Sequence, residues 1–263
     1  MFQPVINSIL FSCLFLLIVS CHQERMVFHP TPLPQDYKYE FEHPFNEVFI
    51  KVNEEVKING LHFKIENPKG LVFYLHGNSG ALNDWGTVAE LYLKNNYNFF
   101  IIDYRSFGKS TGAINKENDM YNDIQVVYDS LQSQFDYKEK DIIVIGYSIG
   151  TGFAAKLTSD NNPKELILKA PYYSIPNLIN QSYKLVPPFI IKYKLPTFKY
   201  LKTISVPVTI FHGDQDKLIP IKSSYKLKNF FKISDELIVM PGNAHKGFHA
   251  NDIYRNGIKK ILK

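Results

Sequence analysis

A serine with glycine two residues to either side, Gly146-Tyr147-Ser148-Ile149-Gly150, is the segment of this 263-residue chain best suited to covalent chemistry. A nucleophilic serine on a tight strand-to-helix turn needs small neighbours at those spacings, because the backbone there is strained and closely packed. The apolar run 142–145 leads straight into it and a helical stretch follows. Such a serine needs a base, and the base needs an orienting carboxylate. Two late loops offer both. The run 208–211 ends in His212-Gly213-Asp214-Gln215-Asp216-Lys217-Leu218-Ile219-Pro220, which puts Asp214 and Asp216 forward as the acid. The run 236–240 ends in Pro241-Gly242-Asn243-Ala244-His245, with His249 four residues on, so His245 and His249 compete as the base. A developing oxyanion needs two fixed N–H donors, and the backbone of Ile149, just after the serine, is placed to be one of them.

These residues sit between elements that alternate along the chain. Residues 47–52 and 56–66 alternate with period 2 and are expected to open an antiparallel pair. The run 71–75 is continuously apolar, as a strand buried on both faces should be. Helical stretches at 82–94, 116–135, after Ser148, at 220–231 and from 248 onward separate strands at 99–102, 142–145, 165–169, 208–211 and 236–240. Strands alternating with helices argue for a parallel sheet covered on both sides. Residues 171–206, rich in Pro, Tyr and Phe, break this rhythm and are expected to form a small cap over one end of the sheet, shaping a substrate pocket.

With 45% hydrophobic and 21% charged residues the chain reads as an ordinary folded domain. Its net charge of +5 is modest and lacks an Arg/Lys tract, so nucleic acid is not an expected partner. Residues 1–20 contain no charge, and their apolar centre from Ile9 to Val19 is shorter than the roughly 20 residues needed to span a bilayer. That length suits a signal peptide. Ile18-Val19-Ser20-Cys21 follows, resembling the bacterial lipobox, in which cleavage before the cysteine exposes it for lipid attachment. The segment also fits a plain secretory signal or an uncleaved anchor. Cys13 and Cys21 are the only cysteines, so a mature chain beginning at Cys21 forms no internal disulfide and holds no cysteine cluster for zinc. Residues 21–45 read as an extended lead spacing the body, 46–263, from the membrane.

Four segments, in this order, resemble the α/β-hydrolase superfamily. They are His76-Gly77-Asn78-Ser79-Gly80, the loop Asp103-Tyr104-Arg105-Ser106-Phe107-Gly108-Lys109-Ser110-Thr111-Gly112, the serine pentapeptide, and His212-Gly213 through Pro220 with the later His245. Phe28-His29-Pro30 before Leu33-Pro34 also resembles membrane-anchored members with small caps, among them acyl-thioesterase-like and serine aminopeptidase-like proteins. The resemblance implies an α/β-hydrolase fold: a mostly parallel eight-stranded sheet, helices on both faces and a small cap insertion. It places the acid at Asp216, with Asp214 in a variable, turn-capping position, and the base at His245, with His249 on the surface where the terminal helix starts. The Asn78 backbone N–H becomes the second oxyanion donor, His76 a structural residue, and Asp103 and Arg105 loop-fixing ones. Ser106 stands where relatives carry glycine.

The expected reaction is hydrolysis of an ester or thioester on a small-molecule or acylated substrate, through an acyl-enzyme, with no metal or organic cofactor. A serine peptidase acting on amides and a catalytically silent, lipid-anchored binding protein are the alternatives. The expected location is the extracytoplasmic face of a bacterial membrane, through lipid on Cys21.

Overall fold

Eight segments carry apolar side chains at period 2 on one or both faces, and burying those faces assembles them into a single sheet. The computed structural model describes residues 23–182 and 186–263. The expected signal segment 1–20 and Cys21 lie outside the described residues. The strands are β1 (Phe45–Lys51), β2 (Lys57–Phe63), β3 (Leu71–Leu75), β4 (Asn98–Ile102), β5 (Ile142–Tyr147), β6 (Glu165–Lys169), β7 (Val208–Gly213) and β8 (Glu236–Met240). Their order across the sheet is β8-β7-β6-β5-β3-β4-β2-β1. β2 pairs antiparallel with β1 and with β4, and every other pairing is parallel. This is the expected mostly parallel eight-stranded sheet.

Alternation along the central strands divides the core in two. Phe73 and Leu75 of β3 and Val144 of β5 face the helices Glu117–Ser133 and Gly150–Asp160. Val72 and Tyr74 of β3, with Ile145 and Tyr147 of β5, face the short helix Ala89–Leu93 and the terminal helix Asp252–Ile261. From β3 the chain crosses to β4 on one side, then returns past β3 to β5 on the other. That reversal leaves a crevice beyond the C-terminal ends of β3 and β5, where open α/β sheets bind ligands.

Two helices differ from the sequence expectation. The stretch 82–94 breaks into Leu82–Trp85, a 3-10 turn at Gly86–Val88 and Ala89–Leu93. The break falls at Gly86, where a Cβ would lie 2.3 Å from the Phe41 ring. The terminal helix starts at Asp252, because the Asn251 side chain accepts from the N–H groups of Ile253 and Tyr254 and caps it there. Residues 248–250 remain a separate 3-10 turn facing the crevice.

The lead is not extended throughout: Gln23–Val27 is a helical turn. Beyond it Phe28 is buried between Phe153 and Tyr193. His29-Pro30 then pairs in parallel with Ser79-Gly80. The insertion between β6 and β7 contains the helices Ile175–Ser182 and Thr197–Leu201. Its buried Tyr172, Tyr193 and Leu195 join the core on the side of the helix Gly150–Asp160. Among the described residues no helix is long and apolar enough to cross a membrane.

Because Phe28 ties the lead into the core, Phe28→Ala should lower stability by about 3–5 kcal/mol, as truncation of a buried Phe does. Denaturant unfolding with an unchanged slope checks this, and a loss near zero would mean the lead is only draped over the domain.

Candidate active site

Ser148 is the one residue of its turn forced into the left-handed region, at φ +54°. The turn must be this sharp because β5 and the helix after it meet almost in contact. A Cβ on Gly146 would lie 2.5 Å from the carbonyl oxygen of Gly150, and one on Gly150 would lie 2.2 Å from that of Leu75. Both glycines are therefore required by close approach. Three bonds hold the turn: Ser148 N–H donates to the Lys169 carbonyl at 2.9 Å, Thr151 Oγ1 donates to the Ser148 carbonyl at 2.6 Å, and the Tyr172 hydroxyl donates to the Ile149 carbonyl at 3.0 Å.

His245 reaches this serine from the loop after β8. Its Nε2 lies 3.0 Å from Ser148 Oγ and its Nδ1 lies 2.7 Å from Asp216 Oδ2. Chemistry assigns the proton to Nδ1, donated to the carboxylate, and leaves Nε2 to accept from the serine hydroxyl. The imidazole is held from behind as well. Tyr147 stacks on it at 5.4 Å, and its hydroxyl donates to the His245 carbonyl at 2.9 Å.

Asp216 is buried in the loop after β7. Its Oδ1 accepts from the N–H groups of Leu218 and Ile219 at 2.9 and 2.8 Å. His212 Nε2 stands 3.4 Å from Oδ2. Burial alone would raise this carboxyl, but the bonds from His212, His245 and Ile219 outweigh it and hold it well below the usual carboxylate range. Asp214 does something else: it accepts from the Gly242 N–H at 2.8 Å and fixes the neighbouring turn. His212, whose side chain the sequence left without a role, supports Asp216 through this contact and is itself placed by Ser224 at 2.6 Å.

Asn78 faces Ser148 across the crevice. The lead braces its loop: His29 N–H donates to the Asn78 carbonyl at 2.7 Å, and Asn78 Nδ2 donates to the Val27 carbonyl at 3.1 Å. Among the described residues, neither the Asn78 N–H nor the Ile149 N–H has an acceptor within the protein. His76 is fully buried behind the loop, with Nε2 3.5 Å from Asp103. Asp103 accepts from the Leu82 N–H, and Arg105 pairs with Asp123, so both fix loops. Ser106 adopts φ +66°, a conformation that favours glycine.

A cavity of about 440 Å³ opens beside Ser148. Its walls include Trp85, Tyr147, Leu218 and Phe248, and it reaches Lys169 and His249. Two expectations are corrected here. His249 is not a surface residue at a helix start but a half-buried wall of this cavity, because the Asn251 cap leaves it in the preceding turn. Among the described residues none of the insertion 171–206 lines the cavity, since it packs over the opposite face of the sheet.

The strand order and the serine turn at its switch point define an α/β-hydrolase. The family described as "Serine aminopeptidase, S33" matches residues 66–200, which is 135 of the 263, and the chain belongs to this family of hydrolases. The uncharacterized protein YfhR of Salmonella typhimurium is 25% identical over 217 residues, covering 75% of this chain and 73% of its own. A putative alpha/beta hydrolase of Acanthamoeba polyphaga mimivirus is 26% identical over 210 residues, covering 78% of each. An esterase of Pyrococcus furiosus superposes with a TM-score of 0.72 at 19% identity, over 90% of this chain and 96% of its own.

A carboxylate depressed in the folded state stabilises the fold fully above its unfolded pKa of about 3.9, and loses that contribution as pH falls toward its folded value. The stability difference between the wild type and Asp216→Asn should therefore be constant near neutrality and shrink below about pH 4. Unfolding of both proteins from pH 7 to pH 3 checks the sign, which a growing difference would reverse.

Proposed function

We propose that this hydrolase is a serine hydrolase that cleaves an acyl ester or thioester through an acyl-enzyme. The carrying observation is the hydrogen-bonded row Ser148–His245–Asp216, with 3.0 Å and 2.7 Å between its polar atoms. In this reading His245 Nε2 takes the Ser148 proton as Oγ attacks the carbonyl carbon, and the oxygen charge that develops is received by the N–H groups of Asn78 and Ile149. His245 passes the proton to the leaving group, and water repeats the sequence to free the acid. Asp216, already an acceptor and held ionised, keeps the imidazole in the tautomer that accepts from serine and stabilises the imidazolium. The apolar walls of Trp85, Tyr147 and Phe248 suit an acyl or aryl group. The family's aminopeptidase description favours an amide as a second reading.

Fluorophosphonate labelling is expected on the wild type and absent from Ser148→Ala. Equal labelling of both would remove Ser148 from the chemistry. On a p-nitrophenyl ester, Asp216→Asn should lower kcat by about 10³–10⁴-fold, the effect of reversing the histidine tautomer. A parallel screen of esters, thioesters and aminoacyl amides separates the two readings.

We also propose that the chain is a lipoprotein anchored through Cys21 at an extracytoplasmic membrane face, on the pattern Ile18-Val19-Ser20-Cys21. Intact-mass analysis of the membrane fraction is expected to show diacylglyceryl-Cys21 as the first residue, and Cys21→Ser to abolish it. Any other mature N-terminus overturns the anchor.

A further inference from the structure

The alternation of β6 puts Glu165, Ile167 and Lys169 on one face, so the chain inserts a lysine where the core face calls for an apolar side chain. Lys169 is 1% exposed and pairs in register with Tyr147, one residue before the serine. Its Nζ donates to the Tyr74 hydroxyl at 3.0 Å and stands 3.3 Å from His249 Nε2. The rings of Tyr254, Tyr74, Phe248 and Tyr147 surround it with centroids 4.7 to 5.3 Å away. Among the described residues no carboxylate lies within ion-pair distance of it. Lys109, the other buried lysine among the described residues, has such a partner in Glu47.

A lysine so placed is costly to the fold, because burying an ammonium without a counter-charge is penalised heavily and aromatic faces offset only part of that. Leucine or methionine would fill the same volume without the penalty. The position also lines the cavity that opens at Ser148, together with Tyr74 and His249. We propose that this deep end of the cavity is a subsite for a carboxylate carried by the substrate, held by Lys169 with Tyr74 and His249. The inference rests on the reading of Ser148 as the nucleophile and deepens it, since it names the chemical class of the ester. Burial pushes the Lys169 ammonium well below its ordinary pKa, and burial with the neighbouring Lys169 charge does the same to His249. Each group therefore lacks the counter-charge that an arriving carboxylate supplies, and the Tyr74 hydroxyl beside them adds a donor to it. The carboxylate can belong to the acyl half or to the leaving group, and the two are separated by experiment.

One substrate series carries it on the acyl side: p-nitrophenyl monoesters of succinate, glutarate and adipate, each against its methyl-capped twin. The other carries it on the leaving group: 4-acetoxybenzoate against its methyl ester. In at least one series the wild type should prefer the carboxylate by at least about tenfold in kcat/KM, as a site built around paired polar groups does. Lys169→Met should abolish that preference while leaving the neutral twin within about threefold. Lys169→Gln, which keeps a polar tip, provides the same reading if the methionine variant does not fold, and fluorophosphonate labelling reports an intact serine in each. No preference in either series, or a preference that both variants retain, overturns the subsite. Calorimetric titration with adipate keeps the two readings apart. Binding to the wild type that Lys169→Met loses upholds the subsite even where no ester is turned over. Absence of binding overturns it even where neutral esters are hydrolysed.

Discussion

The first turn of the helix Gly150–Asp160 meets the end of β3 so closely that only a missing Cβ at Gly150 lets the Leu75 carbonyl pass. Ser148, His245 and Asp216 are arranged around that approach. It drives the chain at Ser148 into the left-handed region, lifts the hydroxyl out of the sheet, and brings the loop after β3 opposite the first N–H groups of the helix. Tyr172 and Thr151 then hydrogen-bond the turn from within. Backbone strain of this kind persists only where the surroundings over-determine it, and here a parallel sheet, a helix and the lead all press on one corner.

Burial penalises charge on both titratable groups near that corner, and their surroundings answer it differently. Asp216 is buried, but two backbone N–H groups and two histidines face it, so the carboxylate form is favoured. Lys169 is buried at least as deeply among aromatic rings, with one hydroxyl and one imidazole for company. The first is a finished electrostatic unit that can act on its neighbour His245. The second has no counter-charge among the described residues, and in our proposal a substrate carboxylate supplies it from the cavity. The same physical rule, that burial penalises charge unless donors or acceptors repay it, thus separates the two residues.

The segments outside the alternating strands and helices serve as braces. The lead crosses from the buried Phe28 to the loop holding Asn78, and a two-residue parallel pairing fixes that loop's height above the sheet. The insertion after β6 packs its tyrosines against the helix behind Ser148, and Tyr172 bonds the turn at Ile149. The cavity beside Ser148 is lined mainly by the loops after β3 and β8.

Much of this was legible in the residues. Period-2 alternation and apolar runs placed all eight strands, the polar loops put forward Ser148 with Asp214 or Asp216 and His245 or His249, and the resemblance to the α/β-hydrolases chose Asp216 and His245. These features are local: a buried strand has to be apolar, and a tight turn has to be glycine-rich, whatever surrounds them. Interactions between segments distant in the chain were decided by the tertiary structure alone. The break at Gly86 depends on Phe41, the place of His249 depends on where Asn251 caps a helix, and the face covered by the insertion depends on Tyr172 and Tyr193 finding the core. Lys169 falls between the two. Its inward position follows from the alternation of its strand, but its lack of a counter-charge is visible only once Tyr74, Tyr147, Phe248 and Tyr254 have converged on it, because a pairwise distance is a property of the fold and not of the sequence.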